Sequence, residues 1–519
     1  MNMHCAAAAW SLSSRRFTWA VPLSLMVLLS GCGSSSSSDP APAAAPAPAF
    51  ANGNLIVSRT VYAGTASTVA IGQALAGGGA AVADGSFPNV FKNEVPDPSF
   101  GVSSPIFLDQ RTTAGSLVNT TAINPILITS SFASKSELAL NVSTNGSAVS
   151  FMGYKAAVNQ LDVSNSNTPA VFDATNPVST TFQRAVAQVD LVSGILTVTG
   201  VNAYSGNNGR AVILANGNFY MVGNSGNGNG DGNSLSALSD NTGVQLISAS
   251  NPGAGNTTVV GVALGTFGSS TGYQRGFSLA QVPDPAHPGQ NYAPDKTGKD
   301  DNFRGLTIFN NTLYVSKGSG SNGINSVYQV GAVGALANGG NLSSNAPITI
   351  LPGFNTLSEK VAEAAATLTA TPHPFGIWFA DTNTVFVADE GDGVRLGVSG
   401  KVTTFAGLAE YKLVGGVWNR VGIFQSGLLD QPTYKAGLPW NIKTDGLRNI
   451  AGKANADGSI TVYAITSTVS DELTHDLGAD PNQLVAITIG ANSTPANTSF
   501  AVLQTAAAGE RLGGVAIAP

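Results

Sequence analysis

Two acidic clusters are the densest chemistry in the chain: Asp389, Glu390 and Asp392 in one stretch, and Asp471, Glu472, His475, Asp476 and Asp480 in another. Carboxylates grouped in this way supply the hard oxygen ligands that Ca²⁺ gathers, about six to eight at a time. Asp389, Asp392, Asp471, Glu472 and Asp476 are therefore the expected metal ligands, and calcium the expected cofactor. The stretch NGNGDG at 227–232 fits the first half of a calcium-binding loop, but Leu238 stands where that pattern needs a bidentate glutamate. The competing expectation is that these carboxylates form a solvated rim.

Cations form a second constellation. Arg59, Lys155 and Lys317 share one register near the end of a recurring strand, while Arg304 and Arg448 enter together just before another, with Arg511 close by. Arranged around one opening they would form a cationic collar suited to a phosphate, carboxylate or uronate ligand. Alternatively, each is neutralised by a neighbouring carboxylate or carbonyl and serves only to tie elements together. His373, in TPHPFG, is placed to act as a general base or to sit as a turn residue between its prolines. Other catalytic signals are poor, because His287, His373 and His475 are far apart and no HExxH or paired-cysteine spacing occurs. GSSTG around Ser270 formally satisfies G-x-S-x-G, but it lies in a Gly/Ser loop and not at a strand-to-helix turn.

These residues are carried by a repeat. An apolar strand, a tight polar turn and a second strand ending at a Gly-rich loop recur in ELALNVSTNGSAVSFMGYK, RAVILANGNFYMVGN, RGLTIFNNTLYVSKG, FGIWFADTNTVFVADEG and RNIAGKANADGSITVYAITS. Between the copies lie paired strand-like runs, such as RAVAQVDL with GILTVTGV. Each unit is thus four antiparallel strands. GGVAIAP at the C-terminus matches the first strand of the unit, and NGNLIVSRT near residue 52 matches its turn and second strand. Joined, they complete a sixth copy. The expected fold is an all-β, six-bladed β-propeller over residues 52–519 whose two ends share the closing blade, with seven blades as the alternative if the Gly-rich 250–290 region holds another. One helix is expected, TLSEKVAEAAATL, opened by a capping box at Thr356 and Glu359. Turns within each strand pair are short, whereas the connections 63–102, 265–302, 352–373 and 426–445 are long. The long ones should gather at one mouth of the propeller, with Tyr154, Trp378 and Trp440 as aromatic candidates there.

The stretch VFVADEGDGVRLGVSGKVTTFAG resembles an NHL repeat, which implies the propeller fold without choosing an activity. The expected function is a binding module for an anionic ligand, polysaccharide or partner protein. The alternative is a calcium-dependent hydrolase of the phytase-like or lactonase-like propeller type, acting on a phosphoester or lactone, in which the cations would stabilise developing negative charge.

The N-terminus carries an address. Arg15 and Arg16 precede the apolar run FTWAVPLSLMVLLS, which ends in Leu29-Ser30-Gly31-Cys32 and resembles the lipobox of bacterial lipoproteins. The resemblance implies a signal peptide over 1–31, lipidation of Cys32, a Ser/Pro/Ala tether over 32–51, and a place in the cell envelope as an outer membrane lipoprotein. The only other cysteine is Cys5, so no disulfide is expected after processing. With a formal net charge of −6 no nucleic-acid partner is expected, and a monomer is expected.

Overall fold

The computed structural model describes residues 49–63, 101–132, 137–169, 171–172, 176, 178, 180–226, 241–251, 255–260, 262–263, 287–290, 301–318, 323–356, 371–391, 405–438, 441–470 and 480–519. Within the unit Ala47–Pro519 these residues build six antiparallel sheets of four strands, the blades of a propeller. Written from the innermost strand outward, blade 1 is Glu510–Ile517, Leu55–Val61, Ile106–Arg111 and Leu117–Ala122. Blade 2 is Asn141–Val142, Ala148–Tyr154, Arg184–Asp190 and Leu196–Val201, and blade 3 is Gly209–Ala215, Asn218–Gly223, Gly243–Ser248 and Thr258–Val259. Blade 4 is Phe303–Phe309, Thr312–Lys317, Ser326–Val330 and Pro347–Ile350. Blade 5 is Pro374–Asp381, Thr384–Asp389, Gly407–Val414 and Val417–Phe424, and blade 6 is Ile442–Ala454, Ile460–Ser470, Gln483–Ile489 and Ala501–Thr505.

The closing blade mixes the two ends of the chain. Leu55, Ile56 and Val57 pair antiparallel with Ile517, Ala516 and Val515, and a register shift follows between Ser58 and Arg59. Of the 250–290 region, Val262–Ala263 starts no blade among the described residues. It adds parallel to the outer strand of blade 4, with Val262 opposite Pro347. The expected helix beyond Thr356 and residues 392–404 of the NHL-like stretch lie outside the described residues.

The core sits in six seams between blades. Ile56, Ile106 and Leu108 of blade 1 meet Val149 and Phe151 of blade 2 in one seam; Leu55, Val57 and Val515 meet Tyr463 and Leu484 of blade 6 in another. Both faces of an inner strand are therefore covered, which is why Thr384–Asp389 is buried at every position and reads as a nearly continuous apolar run. Each such Val or Phe contributes roughly 1.5–3 kcal/mol by leaving water. The innermost strands approach backbone to backbone. A Cβ on Gly305 would run into the carbonyl of Phe375, one on Gly376 into the carbonyl of Arg448, and one on Gly514 would lie 2.5 Å from the Leu138 carbonyl oxygen.

Connections separate the two faces. First and second strands are joined by turns such as Asn216–Gly217 and Asn310–Asn311, whose left-handed φ values of 50°, 74°, 46° and 56° suit asparagine and glycine. Between third and fourth strands the expectation of tight turns holds at 112–116, 191–195 and 415–416, but blades 4 and 6 use the longer connections 331–346 and 490–500. The blade 4 connection covers the blade 3 turn, because Asn216 Nδ2 donates to the carbonyls of Leu336 and Gly340 at 2.8 Å. All connections from second to third strand and from blade to blade leave at the opposite end, the mouth.

Candidate functional site

Under the mouth, the starts of the innermost strands carry buried charge. Asp301 and Arg304 of blade 4, Asp445 and Arg448 of blade 6, and Asn207 and Arg210 of blade 3 fall in one register, three residues apart in each case. Arg448 Nε donates to Glu390 Oε2 at 3.1 Å, so blade 6 is pinned to the exit of blade 5. Arg184, fully buried, donates to the carbonyls of Asn207, Phe182, Ser164 and Ser166 and lies 5.4 Å from the Tyr154 ring centroid. Burial lowers its pKa to about 10, which leaves it charged at neutral pH. The Tyr154 hydroxyl donates to the Glu137 carboxylate, and burial together with that negative charge raises its pKa well above the usual value.

The expected cations take different places. Arg59 is held by Asp109 at 2.9 Å and Glu510 at 2.7 Å, a tie within blade 1. Lys317 Nζ donates to Asn325 Oδ1 at 3.0 Å, and Lys317, Arg304 and Arg448 are buried. Lys155 alone among Arg59, Lys155, Arg304, Lys317 and Arg448 is exposed. The described charges under the mouth are of both signs and serve largely as ties between and within blades. Of the aromatic candidates, Tyr154 is buried, Trp378 stacks on Phe386 in the seam of blades 5 and 6, and Trp440 is outside the described residues.

Among the acids, Asp389 is described and Asp392, Asp471, Glu472 and Asp476 are not, nor is Cys32. Among the described residues no group of three or more His, Cys, Asp or Glu side chains is close enough to hold a metal. Asp389 Oδ2 accepts the His373 backbone N–H at 2.6 Å and Oδ1 accepts that of Gly391 at 3.0 Å, so the carboxylate fastens the entry of blade 5 to its loop. Burial raises its pKa, and the nearby His373 offsets part of that rise.

Asp389 also lines a recess between blades 4 and 5 whose free space, about 20 Å³, is that of roughly one water molecule. Every contributing element ends at the mouth: Ser326 begins the third strand of blade 4, Phe354 and Asn355 belong to the connection onward, Pro372 and Pro374 open blade 5, and Phe405 precedes its third strand, which carries Tyr411. Phe354 and Tyr411 stack with centroids 4.3 Å apart. The exposed Arg420 lies 4.7 Å above the Phe405 ring and hydrogen-bonds Tyr411. Phe354, Tyr411 and Asp389 are buried, so what the recess presents at its edge is the part-exposed Phe405 ring, the Asn355 amide and the exposed Arg420 guanidinium. Sequence reasoning had singled out Asp389 and His373 but not Phe354, Phe405, Tyr411 or Arg420. No local pattern marks them, because they come from separate elements.

No family model matches the chain, and no curated protein matches it. Among solved structures it is similar to a Bacteroides uniformis protein provisionally assigned as a 6-phosphogluconolactonase, at 9% identity over 88% of this chain and 83% of that one, with a TM-score of 0.35. It is also similar to the soluble aldose sugar dehydrogenase of Escherichia coli in the apo form, at 11% identity over 72% of this chain and 95% of that one, TM-score 0.33. Likeness at this level carries no argument about activity. Among the described residues no helix is long and apolar enough to cross a membrane.

Proposed function

We propose that the chain is a non-catalytic binding module whose mouth takes an anionic polysaccharide, with the edge of the recess between blades 4 and 5, at Phe405, Asn355 and Arg420, as a contact. The observation that supports this reading is the edge of that recess, where the part-exposed Phe405 ring and the Asn355 amide stand beside an exposed guanidinium and offer an apolar face and polar partners to a sugar. Arg420, exposed at the edge, is the cation that would meet a uronate carboxylate. The ionisable groups nearby are spent on ties, Asp389 on two backbone N–H groups and Arg448 on Glu390, which suits recognition better than proton transfer. The lipobox-like Leu29–Cys32 segment supports display from an envelope membrane through lipid on Cys32.

The test is a calorimetric titration of residues 47–519 with polygalacturonate and with a neutral galactan, each with and without chelator. Polygalacturonate should bind, and R420A should weaken it roughly three- to tenfold, as loss of one charge-assisted contact implies. Binding of neither polymer, or equal binding by R420A, would refute the reading. Binding abolished by chelator would instead favour calcium held by the acidic loops and move the phosphoester or lactone hydrolase forward.

A further inference from the structure

The face opposite the mouth carries exposed aliphatic side chains at its rim. Of the twelve large hydrophobic side chains exposed among the described residues, seven stand at or beside turns joining third and fourth strands: Leu117 and Val118 in blade 1, Val192 and Ile195 in blade 2, Val333 in blade 4, and Val414 and Val417 in blade 5. They are between 43% and 73% exposed. Ile126, Leu127 and Phe172 lie toward the mouth, and Val421 and Val502 on outer strands between the faces. An antiparallel meander puts every turn between third and fourth strands at the same end, so the seven share one face and line its outer part.

Two other features belong to that face. Its turns are rich in Gly, Asn, Ser, Thr and Ala, and the described charges near the turn ends are of both signs, Arg111, Lys412 and Lys453 with Asp190, Asp381, Asp457 and Glu410, which pairs with Lys412 at 3.0 Å. The chain also joins the propeller there. Ala49 N donates to the Val192 carbonyl at 2.9 Å and Phe50 N to the Leu191 carbonyl at 3.0 Å. The segment before Ala49, which begins at Cys32 on the lipoprotein reading, is therefore joined to the propeller beside two of the exposed aliphatic side chains.

We infer that this face rests on a lipid surface, its aliphatic turn tips entering the headgroup region while the mouth points away. Each methylene that leaves water favours contact, and charges near the turn ends keep their hydration at the headgroup level. The inference is independent of what the mouth binds.

Both cysteines precede residue 47, so residues 47–519, which contain all six blades, accept single labels cleanly. V192C, V333C, V414C and, at the mouth, F172C would each carry an environment-sensitive nitrobenzoxadiazole dye and be mixed with phosphatidylethanolamine–phosphatidylglycerol vesicles. The first three should shift to the blue and be quenched by nitroxide-labelled lipid, and F172C should do neither. In flotation, V192S combined with I195S should reduce vesicle recovery about fivefold while the melt is unchanged, which separates loss of contact from loss of fold. Absence of any shift, an equal shift at F172C, or a concentration-dependent shift without vesicles, which would mark a second copy as the occupant, overturns the inference. An unaltered polygalacturonate titration of the same proteins keeps this failure distinct from failure of the mouth assignment.

Discussion

Two aspartates show how burial sets the meaning of a carboxylate. Asp190, exposed at a blade 2 turn, accepts the backbone N–H groups of Val192 and Ser193 at 3.1 and 2.7 Å and the Ser193 hydroxyl at 2.8 Å, all on Oδ1. The Ser193 bonds lower its pKa. A lowered carboxyl pKa gives stability that is present above the unfolded value and lost as pH falls through the folded one. D190A should therefore cost about 0.5 kcal/mol at neutral pH, the small figure reflecting exposure, and the gap should close below about pH 4. Thermal melts against pH read this directly. Asp389 has the opposite sign, because burial raises its pKa. Its ionisation weighs against the fold as pH rises, and the two backbone N–H bonds and His373 offset that cost.

Elements were legible in the sequence where physics is local. Asn and Gly at the turns mark left-handed positions, and continuous apolar runs mark strands buried on both faces, so the first and second strands of each blade could be placed from sequence. The site was less legible. Arg210 shares the register of Arg304 and Arg448, a match that the sequence carries in NNGR beside DNFR and DGLR. The recess residues Phe354, Phe405 and Tyr411 meet only because neighbouring blades close on each other, which no window of sequence contains. Packing between blades also yields a sharp expectation. G376A places a methyl group against the Arg448 carbonyl and within 3.0 Å of Ile450 N, where backbone of blade 6 cannot yield cheaply. Overpacking of this kind costs about 1–3 kcal/mol, so its denaturant midpoint should fall clearly. A surface change such as V421A should leave the midpoint nearly unmoved.

At the scale of the whole propeller, the account rests on a division of labour between faces. Closure of blade 1 by both chain ends fixes a rigid ring, in which Asn449 Oδ1 accepts Val515 N–H at 2.7 Å and Asn482 brackets Leu512 from blade 6. On that ring one end carries the connections between blades and the recess, and the other carries the turns within strand pairs with their aliphatic tips. Amide hydrogen exchange of residues 47–519 with and without polygalacturonate tests this division most directly. The account predicts slowed exchange in peptides covering 351–356, 371–376 and 405–411, which line the recess, with none at 191–195 or 331–346 on the opposite face. Protection confined to the turn face, or unchanged exchange at the recess under saturating polymer, would contradict it.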